Sequence, residues 1–399
     1  MLRLQPVTAT LAERPFAMVI LDAPVASDPL LGWLADAQHP VLDNAFSREL
    51  ARTHRLNLVP PAEAARRVDG GERVYTNSEN ALAWLLENTA NSNLKDAIRL
   101  FKDKAAMREK LAPLSPELFF ATFTRAQLEA VDVDDLPLPV VLKPSVGFCS
   151  MGVYVIEQRA DWADAVADIA RREADWHARY PESVVGGDVY LVEGYLGGTE
   201  YALDMYYDEQ GRAHLLNVLR HDFAGAEDTS DRLYYTNSAI VDAMAERFRD
   251  WLDAVNEVVG ARSFPVHVEV RVDGDAIAPI EFNPLRFAGL GGTDVAYYGV
   301  GLRTYAAYLA DEAVDLEALY AKHPGQTYSM SLLNPAPTAD LARPFDYDAL
   351  AARFSHVLAF ARFDPNVTGS YGFLFLRTDD STKAELDFLL HSDLLEFQL

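Results

Sequence analysis

The sequence predicts an α/β protein opening in a small domain of alternating strands and helices. Three stretches carry the prediction. "FAMVILD" (16–22) is an unbroken apolar run ending in a polar turn, the pattern of a central parallel strand. "RLNLV" (55–59) and "ERVYT" (72–76) are further short strands. "NSENALAWLLENTAN" (77–91) has apolar residues at helical spacing behind a cap at Asn77 or Ser78.

The following elements keep the mixture. "KDAIRLFKDKAAMREKLA" (95–112) reads as one helix, with Ile98, Phe101 and Ala105 at helical spacing joined by Leu100 and Leu111. Strand signals follow at "LPVVLKP", "GVYVIE" and "DVYLVEGYL", with an amphipathic helix near 160–178 among them. "EYALDMYYDEQGRAHLLNVLRHDF" (200–223) predicts a hairpin turning at Asp208–Gly211. "IVDAMAERFRDWLDAVNEVVG" is a helix leading to a second hairpin. Past residue 300 come two more helical segments, a linker with three prolines (334–344), the strand "YGFLFLRT" and a helical "STKAELDFLLHSDLLEF".

Composition excludes several function classes. The net charge is -25, from 60 acids against 35 bases, and no run of Lys and Arg interrupts it. Such a surface repels phosphate backbones and anionic membranes, so neither nucleic acid nor membrane is an expected partner. Cys149 is the only cysteine, which rules out an intrachain disulfide. The apolar run Phe16 to Leu21 is too short for a signal-peptide core or a membrane span, so the expected location is cytoplasmic.

The second hairpin carries the most chemistry. In 266–272 every even position is valine and the odd ones are His267, Glu269 and Arg271, so one face is buried and the other polar. Ile280 and Phe282 share the buried parity, Glu281 and Asn283 the polar one. Strands paired through "DGDA" place Glu269 and Glu281 on one face, opposite or diagonal, where like charges repel. A divalent cation would remove the repulsion, and two carboxylates with an amide suit Mg²⁺ or Mn²⁺. A solvated face neutralised by Arg271 explains the pattern equally well.

Two other stretches are weaker signals. In "LPVVLKPSVGFCSMGVYVIE" a strand ends at Lys143, and Gly147 and Gly152 lie among Ser145, Cys149 and Ser150. Such a loop can fold N–H groups over phosphates beside the lysine, though it lacks the Walker pattern and an ordinary turn reads the same. Cys149 has no histidine nearby to activate it and reads as packing. In "YLVEGYLGGTEYALD", Glu193 interrupts an apolar strand and Glu200 follows past Gly197–Gly198. This fits a chain passing an adenine edge and then a ribose, or two surface acids.

The order of these pieces, from Asp103-Lys104 through Lys143, Glu193 to Glu200, Glu269, Glu281 and Asn283, resembles the ATP-grasp superfamily. That family includes D-alanine–D-alanine ligase, glutathione synthetase and biotin carboxylase. The resemblance implies a pre-ATP-grasp α/β domain (1–94), a two-subdomain α+β ATP-grasp core (95–310, with a lid at about 115–191) and a C-terminal α+β extension (311–399). It implies that Lys104 and Lys143 contact ATP phosphates under a lid carrying Ser150 and Gly152. Glu193, Tyr195 and Leu196 would form the adenine hinge, and Glu200 would hold the ribose. Glu269, Glu281 and Asn283 would bind Mg²⁺ or Mn²⁺, and Arg220 would add a cation.

Arg286 departs from the pattern, since "NPLR" puts it three residues after Asn283 rather than two. Either the chain bends after Pro284 or the arginine has another role. "AGLGG" (288–292) reads as backbone donors for an acyl phosphate or as tight turns. Arg232, in the polar stretch 224–238, reads as a grip on substrate or as a solvated arginine.

The reaction implied is ATP- and Mg²⁺-dependent activation of a carboxylate as an acyl phosphate, captured by an amine with release of ADP and phosphate. A thiol acceptor, a carboxylation and a non-catalytic ATP-binding module are the alternatives. The expected partners are small-molecule carboxylates and amines. The tail 345–399 is left capping the cleft, pairing a homodimer or simply packing.

Overall fold

A computed structural model describes residues 17–147, 152–179, 186–225, 228 and 230–399. The first unit is a four-stranded parallel sheet of β1 (Ala17–Ile20), β2 (Pro40–Leu42), β3 (Asn57–Val59) and β4 (Arg73–Thr76), in the order β3-β2-β1-β4. Strand β1 is wholly buried, as its unbroken apolar run requires. The loops leaving β1 and β4 are stitched side to side. Asn77 Nδ2 donates to the carbonyls of Asp22 (2.8 Å) and Val25 (2.6 Å), and its Oδ1 accepts from the Asp22 N–H. Asn77 therefore ties two loops together instead of capping a helix, and the helix starts later, at Ala81–Asn88, without a side-chain cap.

The expected single helix over 95–112 is two, Ser92–Lys102 and Lys104–Leu111, broken at Asp103. Asp103 takes an extended backbone and accepts from the Ala106 N–H, capping the second helix, and Ser145 Oγ bonds the same carboxylate. Because of the break, Lys102 turns to Glu79 and Lys104 to Glu281.

The second sheet holds β5 (Phe120–Thr124), β6 (Val140–Val146), β7 (Tyr154–Ile156) and β8 (Gly186–Gly194), antiparallel in the order β5-β8-β6-β7. The helix Arg159–Arg179 covers one face through Trp162, Ala165 and Ile169.

The third sheet is antiparallel and eight-stranded. It comprises β9 (Thr199–Tyr207), β10 (Ala213–Asp222), β11 (Leu233–Asn237), β12 (Phe264–Asp273), β13 (Ala276–Pro284), β14 (Thr327–Leu332), β15 (Val357–Arg362) and β16 (Gly372–Thr378). Their order is β13-β12-β9-β10-β11-β14-β16-β15, so the last three extend the sheet begun by the first five. Strands β14 and β15 have no counterpart in the sequence reading. In β14, Ser329 and Ser331 alternate with Tyr328 and Met330 and all four are buried, so polarity does not mark the solvent side. The long helix Ser238–Val259 covers one face of this sheet with Phe248, Leu252 and Val255, and ends on left-handed Gly260. Among the described residues no helix is long and apolar enough to cross a membrane.

Candidate active site

Strands β12 and β13 pair with Glu269 directly opposite Glu281 and His267 opposite Asn283. The register shifts after Glu269, so Val270 pairs with Pro279 and Ile280 is the extra residue of a bulge. The Ile280 carbonyl accepts from Lys143 Nζ at 3.3 Å, bringing a lysine of the second sheet to the carboxylate pair. Glu281 Oε2 lies 2.9 Å from Lys104 Nζ, and its Oε1 accepts from Asn283 Nδ2 at 2.9 Å.

The two carboxyls titrate in opposite directions. Burial and the charge of Glu281 push Glu269 up. Burial also works to raise Glu281, but Lys104 and Asn283 outweigh it and hold that carboxyl down. Burial likewise opposes the Lys104 ammonium, while Glu281 raises it.

Behind Glu269 stands a buried chain. His267 Nε2 is 3.5 Å from Glu269 Oε1, and His267 Nδ1 is 2.8 Å from Asp204 Oδ1. Burial would discharge His267, but Asp204 and Glu269 raise its pKa to about 9. Asp204 also holds both ends of the glycine loop: Oδ1 accepts from the Ala288 N–H at 2.8 Å and Oδ2 from Thr293 Oγ1 at 2.7 Å.

Lys143 is 4% exposed and meets Glu193, itself 2% exposed, at 2.5 Å. Arg108 closes on the same carboxylate through Nε at 2.9 Å and reaches the Pro279 carbonyl at 2.7 Å. Burial dominates Lys143, whose pKa is lowered despite Glu193. For Glu193 burial is outweighed by Lys143 and Arg108, which lower it. The Glu193 side chain is therefore the counter-ion of two cations, and a hinge contact at that position would come from its backbone.

Tyr195 is 46% exposed and its N–H donates to the Pro139 carbonyl; Leu196 is half-buried beside it in the crossing between the second and third sheets. Gly198 has φ +84, and a Cβ there would lie 2.1 Å from the Val272 carbonyl oxygen, so only glycine makes this crossing. Glu200 meets His221 Nδ1 at 2.7 Å and Arg271 Nη2 at 2.9 Å. Gly152 has φ +70. Ser150, expected in the phosphate lid, and Cys149 lie outside the described residues.

Arg220 is not brought to this group. It pairs with Tyr201 and Tyr235, and directly opposed residues of antiparallel strands share a face. Tyr201 packs edge-on against Phe248 of the long helix, so Arg220 is on the helix side, engaged by Asp222 at 2.9 Å. His221, one residue on, takes the site-facing position against Glu200.

Arg286 does reach the site, because the chain bends. Leu285 is left-handed (φ 60), and its N–H and carbonyl are fixed by Pro265 and Thr76. The guanidinium then meets Glu79 of the parallel domain, at 3.1 Å through Nε and 2.5 Å through Nη2, and Lys102 pairs with the other Glu79 oxygen. Burial would raise the Glu79 pKa, but Lys102 and Arg286 bring it down to about 2. Arg232 Nη2 contacts the Asn334 carbonyl at 3.4 Å.

Glu79, Lys102, Arg108, Asp204 and His221 are the site-lining residues that sequence reasoning did not single out. One signal was available: Asp204 follows Glu200 at the even parity of a buried strand, where an acid needs a partner.

Residues 136–294 match the family model of the ATP-grasp domain. The chain carries an ATP-grasp domain. Solved structures agree over nearly the whole length. An L-amino acid ligase from Bacillus licheniformis superposes with a TM-score of 0.67 at 18% identity, covering 94% of this chain and 97% of that one. Carboxyaminoimidazole ribonucleotide synthase from Aspergillus clavatus, complexed with ATP, gives 0.62 at 16% identity over 96% and 98%. Biotin carboxylase from Campylobacter jejuni gives 0.62 at 11% over 95% and 94%. At these identities the likeness establishes the fold. No curated protein sequence matches the chain.

Within the ATP-grasp domain the donor set fits a hard divalent ion. Among the described residues no three His, Cys, Asp or Glu side chains gather for a metal; the residues expected to hold one, Glu269, Glu281 and Asn283, lie on the paired strands β12 and β13 and offer two carboxylates and an amide. These oxygens suit Mg²⁺ or Mn²⁺. Lys104 shows that a cation is accommodated against Glu281.

Proposed function

We propose that the protein is an ATP-dependent ligase that activates a carboxylate as an acyl phosphate and joins it to an amine, releasing ADP and phosphate. The observation that carries this reading is the Glu269–Glu281 pair set in register against Lys104, with Lys143 reaching the same hairpin. Glu269, Glu281 and Asn283 would hold Mg²⁺ or Mn²⁺, which supplies charge neutralisation at the γ-phosphate of ATP. Lys104 and Lys143 stand ready to exchange their carboxylate partners for phosphate oxygens. Glu193, Tyr195 and Leu196 lie at the crossing where a backbone can present one donor and one acceptor to an adenine edge, and Glu200 follows for the ribose. Arg286 orients a carboxylate or phosphate from the side of the parallel domain. Phosphoryl transfer needs positioning and charge neutralisation rather than a side-chain nucleophile, and these residues provide both.

The neighbouring biotin carboxylase favours a second reading, in which bicarbonate is the activated acid. ADP release across a panel of carboxylates, with hydroxylamine as acceptor, tests the proposal. Hydroxamate with an organic acid supports the amide-forming reading, and ADP release with bicarbonate alone moves it to carboxylation. Nucleotide binding with no turnover across the panel would leave a binding module.

A further inference from the structure

Arg108 is 5% exposed, about as buried as Lys143, and has no part in the reading above. Lys104 opens the helix Lys104–Leu111, and Arg108 follows one turn later on the same face. From there Arg108 joins two sheets, meeting Glu193 of β8 and, at 2.7 Å, the Pro279 carbonyl of β13. Its Nε and Nη2 both donate to Glu193 Oε2, at 2.9 and 2.5 Å. Lys143 takes the other oxygen, Oε1, at 2.5 Å, and also reaches the Ile280 carbonyl at 3.3 Å. One buried carboxylate thus serves two cations through separate oxygens. The same two cations end on successive carbonyls at the β13 bulge.

Two positive charges are more than one carboxylate needs. A buried charge must be paired, and a single guanidinium is enough to pair Glu193. The second charge sits under pressure: burial, Lys104 and Arg108 all act against the Lys143 ammonium, and Glu193 acts for it. The two cations also differ in how firmly they are held. Arg108 is fixed by two nitrogens on Glu193 and by the Pro279 carbonyl, whereas Lys143 is a flexible point charge on one carboxylate oxygen and one longer carbonyl contact. The arrangement recurs at Glu79, which Arg286 shares with Lys102, a buried residue at the end of the helix Ser92–Lys102. In both clusters a cation from the broken helix 92–111 keeps a glutamate paired while the other cation belongs to the site.

We infer that Arg108 is a positioning residue for nucleotide: it keeps Glu193 neutralised, so that Lys143 can leave that carboxylate for a phosphate oxygen of ATP. This rests on the reading above that Lys143 meets the ATP phosphates. With Arg108 in place, Lys143 exchanges one oxyanion for another, and a guanidinium–carboxylate pair stays behind. Without it, the same move strands a buried carboxylate with no counter-ion, so Lys143 is held on Glu193. Arg108 acts on ATP affinity through Lys143 and touches no substrate itself. Removing the Glu193 charge should therefore undo the harm of removing Arg108. A plain clamp between the two sheets predicts the opposite, because losing both partners loosens the joint further.

Calorimetry with Mg²⁺ and a non-hydrolysable ATP analogue reads binding without the carboxylate substrate, and thermal melting shows that each variant is folded. Arg108→Met should raise the Kd at least ~10-fold, about 1.4 kcal/mol. Adding Glu193→Gln to that variant should return the Kd to within ~3-fold of wild type, or tighter. An unchanged Kd in Arg108→Met overturns the inference. So does a double variant that stays weaker than that range, and Arg108 is then a clamp between the sheets. Lys143→Ala keeps the two failures apart. Weakened binding there, beside an unchanged Arg108→Met, sinks the role of Arg108 alone. Wild-type affinity in Lys143→Ala means that Lys143 meets no phosphate, which overturns that reading and the role of Arg108 with it. Arg108→Gln, which keeps a donor for the Pro279 carbonyl, replaces Arg108→Met if the latter fails to fold, and the same outcomes decide.

Discussion

Lys104 Nζ lies 2.9 Å from Glu281 Oε2, directly across the hairpin from Glu269. The ammonium neutralises the carboxylate that like-charge repulsion would otherwise destabilise. Lys104 is the first residue of its helix, and the break at Asp103 aims it there.

This contact sets the outcome for Glu281→Gln. From the hairpin alone the variant should be no less stable than wild type, because a repulsive pair is relieved. The ion pair reverses the sign: Lys104 keeps the Gly147 carbonyl at 2.9 Å but loses its counter-charge. Breaking a fully buried pair costs ~3–5 kcal/mol, and with that carbonyl retained the loss should be about 2 kcal/mol. Melting temperature without nucleotide should fall, and the gain from MgATP should largely disappear together with ADP release. A variant that keeps the MgATP gain would show that Glu281 binds no metal.

Lys143→Ala should weaken ATP binding and turnover, and it should also cost stability. A lysine read as a loop charge could be removed without harm to the fold. Here it is buried on Glu193, which would be left with Arg108 alone. A melting temperature that falls while ATP affinity stays at the wild-type value would make Lys143 a purely structural cation.

What the sequence disclosed follows from how local each signal is. Strict alternation in 266–272 settles which face holds Glu269, and the hairpin then brings Glu281 opposite. Arg220 misled because the facing of β10 depends on a register shift between Leu215 and Asn217, which no alternation marks. Lys102 and Lys104 lie in a continuous helical pattern, and the break depends on Ser145, Glu79 and Glu281, all distant in sequence. Glu79 looked like part of a helix start, yet its partner Arg286 is 207 residues away. Acids whose partners are remote carry no local signature.

Arg286→Lys tests the bend at Leu285. Two guanidinium nitrogens share one Glu79 oxygen, and a lysine point charge cannot reproduce that fork. Turnover should fall at least ~10-fold, about 1.4 kcal/mol in the barrier, with the KM for the carboxylate rising more than that for ATP. Normal kinetics would leave Arg286 as a clamp between domains, and substrate binding would pass to Arg271 or Arg232.

The Asp294 carboxyl also makes stability depend on pH without any ligand. Its pKa is raised from 3.8 to about 7 by burial, so the native state holds a proton that the unfolded chain has released. A raised carboxyl pKa means that stability is full below about 4, declines as pH climbs from 4 to 7, and is lowest above 7. Hydrogen bonds from Ser27 and Tyr305 and the charge of Arg303 oppose the rise, Asp204 adds to it, and Tyr75, Tyr298 and Tyr305 remain neutral across this window because burial pushes each of them up. Asparagine has nearly the same shape and no charge to bury. Asp294→Asn should therefore melt close to wild type at pH 4 and clearly above it at pH 8, by an amount on the order of 2–4 kcal/mol. Taking the difference between the two proteins at each pH cancels His267 and every other group they share. A difference that stays flat from pH 4 to pH 8 would mean that Asp294 is ionised throughout, held so by Ser27, Tyr305 and Arg303.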